Sequence, residues 1–263
     1  MSHPALTRST KFLRPNHGDF ELVGKPALVL MHMQEGIAGE HLFLGKDLRP
    51  IAKEALAASG VVERCRALAD AFRARDLPVI FVQAIPDPIG KVPAYGDVAG
   101  VAAMPDDAPG PNRAYRPFFT DEYVRRGLEV MPAMGYREGE HRDHVLYHWL
   151  INAFTNSGLD VVLKKEGCET IVWGGVPLTP SVYVSSVAAW DLGYNGIIPV
   201  DAGSIGGVRR PSVPEDEHER VLDVMAEAVV GFMAPHDNQV TDTATVLQKL
   251  EHFAVDGSLD GRR

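Results

Sequence analysis

One serine stands where an apolar run gives way to a small-residue helix, a place where a hydroxyl could act as a nucleophile. The stretch TIVWGGVPLTPSVYVSSVAAWDLGY, Thr170 to Tyr194, is apolar up to Gly175 and then turns through two prolines. Thr179 is of the type favoured at a helix N-cap, and Pro180 suits the first helical position, where a missing N–H costs nothing. Ser181 is therefore predicted in the first turn of a helix that starts at the carboxyl end of a buried strand, where ligands bind in open α/β sheets. Free N–H groups and the positive end of the helix dipole would face such a ligand and could hold an oxyanion. Val176, Pro177 and Thr179 are predicted to line this elbow. Proline makes a cis Val176–Pro177 bond cheap, and a cis bond would sharpen the turn. Ser185, Ser186, Ala188 and Ala189 would let the helix sit close to the sheet, and Gly193 ends it. The plainer reading makes Ser181 a second capping residue of an ordinary βα unit.

Other groups with chemistry are few. The two cysteines, Cys65 in VVERCRALADAF and Cys168 in EGCET, exclude a disulfide framework and a cysteine-rich metal site. Cys65 is expected mid-helix, far from the strand ends, and Cys168 just before its strand at the opposite edge. Arg113 and Arg116 sit beside Tyr115, Phe118 and Phe119, a combination suited to a carboxylate-bearing ligand, although solvated loop arginines are the commoner explanation. They belong to a Pro- and Gly-rich insertion at about 86–140. A loop so long usually covers a site or an interface.

These groups need a scaffold, and the rest of the chain supplies a recurring pattern of one. Short runs rich in Val and Ile alternate with helical patterns, which reads as βαβ units. The runs are Pro26 to Met33, Leu77 to Ile85, Asp143 to His148, Thr170 to Gly175, Gly196 to Val200 and Val229 to Ala234. Most are apolar on both faces, as buried parallel strands are. Between them, ALAASGVVERCRALADAFRARD has apolar residues at three- and four-residue spacing and stops at Pro78. GLDVVLKKEG and HERVLDVMAEAV are shorter helical patterns. TDTATVLQKLEHF is predicted to close the chain as a helix capped by Thr241 or Asp242. The 263 residues, 45% hydrophobic, fit one large α/β domain spanning 1–263. A formal net charge of −9 argues against nucleic acid or an anionic membrane as partner. No apolar stretch is long enough for a membrane span, so a cytoplasmic location is the simplest expectation.

Three segments together resemble one family, the isochorismatase-like cysteine hydrolases, which include nicotinamidases and N-carbamoylsarcosine amidases. The family's strand ending in Asp-Met-Gln is matched by ALVLMHMQEG. Its Pro-Gly-Asp-like segment, strand, Lys and Ser-Ala-Phe leading to Leu-Asp are matched by REGEHRDHVLYHWLINAFTNSGLD. Its strand, Gly-Val, cis peptide, catalytic Cys and helix ending Asp-Leu-Gly-Tyr are matched by the stretch from Thr170. The resemblance implies a three-layer, doubly wound α/β fold with a six-stranded parallel sheet and helices on both faces. It also implies a small-molecule substrate, no cofactor, and a homo-oligomer paired through such insertions.

The family's Asp, Lys and Cys would fall on His32, His148 and Ser181, so the usual thiolate chemistry is removed. A hydroxyl and two imidazoles are nevertheless a sensible set, because serine needs an adjacent base and histidine titrates near neutrality. One reading makes Ser181 the nucleophile, His32 the general base and His148 the acid or charge stabiliser, acting on a small amide or ester. A second makes His32 and His148 metal ligands with Glu35 as a third. The family's own metal motif, Asp-x-His after the second strand, is replaced by QAIPDPIGK, so no metal is expected from the resemblance. A third is a non-catalytic binding protein that keeps the fold. A variant of the first is vinyl-ether hydrolysis with His32 as acid. Gln34 and Asn152 follow the two histidines as candidate orienters, and Trp149, with Tyr147 and Phe154, could line an aromatic pocket or pack the core.

Overall fold

Residues 8–39, 56–57, 59–84, 122–148, 151–204, 214, 217–234 and 238–253 are described in a computed structural model. Six strands run through them: β1 (Lys25–Met31), β2 (Val79–Ala84), β3 (Asp143–His148), β4 (Cys168–Gly175), β5 (Asn195–Pro199) and β6 (Asn238–Thr241). The helices of the described residues are α1 (Val61–Arg73), α2 (Glu122–Gly127), α3 (Leu159–Glu166), α4 (Tyr183–Asp191), α5 (His218–Met233) and α6 (Thr243–Glu251). All strand pairs are parallel, in the order β3-β2-β1-β4-β5-β6. This is the doubly wound order, in which the chain reverses direction of travel between β1 and β4.

Burial explains why the inner runs have no polar alternation. Residues 26–31 of β1 are all buried because both faces are covered. On one face Leu28, Leu30, Val79 and Phe81 pack with Val61, Cys65, Leu68 and Phe72 of α1 and with Val246 and Leu250 of α6. On the other, Val29, Met31, Ile80 and Trp173 pack with Leu159 and Leu163 of α3, Ala189 of α4, and Ala226 and Val230 of α5. Three layers result, as expected from the alternation of strands and helices. Asp242 caps α6, its carboxylate accepting from the Thr245 amide at 2.8 Å.

The sequence pattern misplaces one strand. VVGFMA, Val229 to Ala234, continues helix α5, and the sixth strand is the shorter Asn238–Thr241. Ala226, Val229, Val230 and Met233 are buried at helical spacing, so this β-branched run serves a helix face. Of the insertion, residues 122–140 are described, and they hold α2 and a 3₁₀ turn at Pro132–Met134. The segment is tied to the chain after β1 by an isolated bridge between Gln34 and Val130. The rest of the insertion lies outside the described residues.

The site depends on how closely β4 approaches β1. Gly175 pairs with Met31 and has φ +98, and the next amide, Val176 N–H, donates to the Met31 carbonyl at 2.9 Å. A Cβ at Gly175 would lie 2.1 Å from that carbonyl oxygen. Only glycine tolerates both the backbone angle and the contact. Gly175→Ala is expected to lower the unfolding free energy by roughly 3–5 kcal/mol. Gly193→Ala is the comparison, since Gly193 has φ +89 but open space around a Cβ; it should cost about 1 kcal/mol. Urea denaturation measures both, and equal losses would show that the Met31 contact is not the constraint.

Candidate functional site

His32 is the first residue beyond β1. Its amide donates to the Val82 carbonyl at 2.9 Å, continuing the ladder for one more bond, but its φ of 53 turns the chain out of the strand. A left-handed angle costs a non-glycine residue about 1–2 kcal/mol. His148 is the last residue of β3 and fully buried. Strand β2 lies between β1 and β3, so the two imidazoles meet across the carboxyl end of β2. Their Nε2 atoms are 2.8 Å apart and their rings are stacked, with centroids at 5.1 Å and planes inclined by 23°.

At that distance one Nε2 carries a hydrogen and the other accepts it. Burial holds His32 well below its ordinary range, at about 3; the neighbouring His148 lowers it further, and the Val176 backbone opposes both. Burial likewise holds His148 at about 4, opposed by the backbone of Asn152. Both rings are therefore neutral at pH 7. The Nδ1 atom of His148 has no hydrogen-bond partner among the described residues, so the Asn152 backbone favours its protonation without bonding it. The tautomers of the two rings decide which Nε2 donates.

Ser181 lies in the turn after β4 and is buried. Within Leu178–Val182 only Thr179 has non-helical angles, so helical backbone starts at Pro180 as the Thr-Pro pattern predicts. The turn is wider than an ordinary first turn: Val182 N–H reaches back to the Pro177 carbonyl at 3.3 Å, and regular α-helix begins at Tyr183. The Val176–Pro177 and Thr179–Pro180 bonds are both cis. Of the amides expected to serve an oxyanion, Val176 N–H is taken by Met31 and Leu178 N–H by the Ser204 carbonyl at 2.6 Å. Prolines contribute none. Among the described residues this leaves the Thr179 and Ser181 amides without a partner outside the turn.

The structure thus brings His32 and His148 together, and among the described residues no hydrogen bond joins Ser181 Oγ to either imidazole. Gln34 is fully buried and committed to backbone. Its Nε2 donates to the carbonyls of Ala84 and Gly127, and its Oε1 accepts from the Ala84 amide at 2.6 Å. It acts as a clamp between the end of β2 and the insertion. The Asn152 side chain accepts from the Phe154 amide at 2.9 Å, closing a local turn. Among the described residues no three His, Cys, Asp or Glu side chains gather so as to hold an ion, and Glu35 does not join the two imidazoles in such a group. Arg113, Arg116 and Trp149 lie outside the described residues.

Cys65 departs from expectation, because helix α1 crosses directly beneath the elbow. Its Sγ donates to the Ala202 carbonyl at 3.2 Å and would lie 3.6 Å from a Cβ at Gly174. Burial pushes this thiol up to about 12, and burial raises Cys168, the first residue of β4, to about 11. Neither supplies a thiolate near neutrality. Sequence reasoning misses Gln83, which is fully buried on β2, next in register to His32, with both side-chain amide atoms unpartnered among the described residues. The one signal is a lone polar residue inside LPVIFVQAI.

Residues 26–237 match the isochorismatase domain, and the chain belongs to that family. It is 29% identical over 178 residues to YecD, an uncharacterized isochorismatase family protein of Escherichia coli O157:H7, covering 68% of this chain and 79% of that one. An isochorismatase family protein from Burkholderia thailandensis has a similar structure, with a TM-score of 0.54, 27% identity, and coverage of 86% and 96% of the two chains. N-carbamoylsarcosine amidase from Thermoplasma acidophilum shares the fold with a TM-score of 0.51, 21% identity and coverage of 83% and 96%.

The two depressed imidazoles fix a pH dependence. Unfolding restores each to about 6.5, so below that pH the unfolded chain binds more protons than the native one. Stability is complete above pH 6.5 and is lost progressively as pH falls toward the folded values of about 4 and 3. A tenfold loss of proton affinity on folding corresponds to about 1.4 kcal/mol, so the pair accounts for several kcal/mol in total. Urea denaturation between about pH 7 and 5, above the main carboxylate range, should show a slope that the double variant His32→Asn, His148→Gln flattens. An unchanged slope would mean that the imidazoles are charged or exposed in the native protein.

Proposed function

We propose that this chain binds a small uncharged polar molecule, such as an amide or ester, at the end of β1, β3 and β4, without forming a covalent intermediate on Ser181. The observation that carries this reading is the 2.8 Å hydrogen bond between His32 Nε2 and His148 Nε2. A base that activates serine works best with a pKa near the operating pH. Imidazoles held at about 3 and 4 are far weaker bases than that. Each already spends its Nε2 on the other. The positions that correspond to the family's Asp, Lys and Cys carry His, His and Ser, so an ion pair and a thiol give way to groups that are all neutral at pH 7.

Such a site still recognises a ligand. The Thr179 and Ser181 amides and the Ser181 hydroxyl are donors suited to a carbonyl oxygen, and His148 Nδ1 has no hydrogen-bond partner among the described residues. Buried polar atoms without partners call for an explanation, and a bound polar molecule is one.

The same two amides favour a second reading, hydrolysis by Ser181. It requires a ligand to draw one imidazole out of the pair and onto the serine hydroxyl. Acid catalysis by His32 is less favourable, because a group at about 3 seldom holds its proton at neutral pH.

Intact-protein mass after exposure to a fluorophosphonate separates the readings. No adduct at Ser181 is expected, while small amides and esters screened by thermal shift should raise the Tm of the protein and not that of His148→Phe. An adduct that disappears in Ser181→Ala would overturn the binding reading and establish the hydrolytic one.

A further inference from the structure

Strand β3 borders a cavity of about 650 Å³, and none of its lining residues belongs to the site at the strand ends. Val145 and Tyr147, two residues apart on β3, line it from the side of the sheet that α1 covers. Val145 pairs in register with Phe81, whose ring meets that of Tyr136 edge-on, with centroids 5.8 Å apart. The segment that follows α2 adds Leu128, Val130, Tyr136 and Glu138 to the lining. Two tyrosine rings thus stand beside an apolar patch of Leu128, Val130 and Val145, and Tyr147 is 36% exposed. The volume is that of a small-molecule site, for which roughly 300–1,000 Å³ is usual.

Charge on the lining is unbalanced. The cationic groups around the cavity are already engaged: Arg125 bonds Glu129 at 2.9 Å, Arg73 of α1 bonds Asp143 at 2.6 Å, and His144 shares a hydrogen bond of 3.2 Å with Glu166. Glu138 is exposed and has no ion-pair partner among the described residues. Burial holds the Tyr136 phenol above its ordinary range, and the negative charges of Glu138 and Asp143 raise it further. Both carboxylates therefore lie within electrostatic reach of that ring. Burial raises the Tyr147 phenol as well, so both rings face the cavity uncharged at neutral pH.

We propose that this cavity binds a small organic cation of the guanidinium type, held against the Tyr136 and Tyr147 rings with Glu138 as its counter-ion. An anion would be repelled by Glu138 and by the net charge of −9. A wholly apolar molecule would take water from Glu138 and give nothing in return. A guanidinium satisfies both kinds of group, because it is planar, stacks on aromatic faces, pairs with carboxylates through two N–H groups, and is weakly hydrated. The protein holds one of its own guanidinium groups in this way beside the cavity. Arg73 Cζ lies 6.0 Å from the centroid of Phe81 while the same side chain bonds Asp143. The remaining volume leaves room for an apolar body attached to the cation, resting on Leu128, Val130 and Val145.

Isothermal titration calorimetry of the full chain with butylguanidinium chloride tests this. Binding is expected with a Kd of about 1 mM or tighter, the range open to so small a ligand. Glu138→Gln removes the counter-ion and Tyr147→Ala removes a ring, and each should weaken binding about three- to tenfold. Ser181→Ala should leave the Kd unchanged, which separates this cavity from the site at the strand ends. Glu138 is exposed, so if Tyr147→Ala misfolds, Glu138→Gln carries the same reading. The absence of binding at concentrations that would saturate a millimolar site overturns the proposal. So does a Glu138→Gln protein that binds as tightly as the wild type, or a loss of binding in Ser181→Ala.

Discussion

Contact between Gly175 and the Met31 carbonyl sets the geometry that everything else at this end of the sheet follows. Parallel strands diverge where the chain reverses between β1 and β4, and that divergence opens the crevice used for ligands in doubly wound folds. Here the crevice floor is held shut by backbone. Val176 N–H bonds Met31, Leu178 N–H bonds Ser204, and α1 presses Cys65 against Gly174 and Ala202 from below. The elbow therefore hangs from three fixed points, and the Thr179 and Ser181 amides project from a rigid frame. A side chain at position 175 would lift β4 away from β1 and move the His32 side of the site relative to the Ser181 side.

Within that frame, burial decides what the imidazoles can do. Transfer of a charged ring into this interior would cost several kcal/mol without a carboxylate to balance it. Two neutral rings sharing one hydrogen bond avoid that cost, which is why both pKa values fall together. A buried ion pair at the same positions would have to recover its desolvation through near-ideal geometry. The neutral pair needs only one donor and one acceptor. Its limit is the Nδ1 of His148, a buried polar atom without a hydrogen-bond partner among the described residues.

Much of this is legible in the sequence. Strands β1 to β5 and the helices α1, α3 and α6 follow from apolar runs, three- and four-residue spacing, Pro78 and the Asp242 cap. So does the start of helical backbone at Pro180. The positions of His32 and His148 at strand ends are legible too, since each closes an apolar run. What the sequence hides is contact between elements distant along the chain. Nothing in VVGFMA distinguishes a strand from the buried face of a helix, because Val and Met serve both. The Gln34 clamp needs the position of residue 127, and the place of Cys65 needs the crossing of α1 under β4. The pairing of the histidines, 116 residues apart, requires knowing that only β2 separates their strands.

That separation raises a question of mechanical support, since His148 sits on β3, which lies at the end of the sheet. Its residues 143–146 are only partly buried, and an edge strand has one ladder of hydrogen bonds to hold it. Side-chain contacts compensate, among them one at each end of the strand. At the start of β3, Arg73 of α1 donates to the Asp143 carboxylate, 2.6 Å at its shortest, and to the Met134 carbonyl at 2.8 Å, with both side chains almost entirely buried. At its end, His148 bonds His32. A bidentate buried pair fixes orientation as well as distance, so the strand is pinned from the α1 layer at one end and from β1 at the other. Fixing both ends of a six-residue strand leaves its register little freedom to slip. The His32–His148 bond therefore does more than join two rings that burial keeps neutral: it fastens the end of the strand that carries His148.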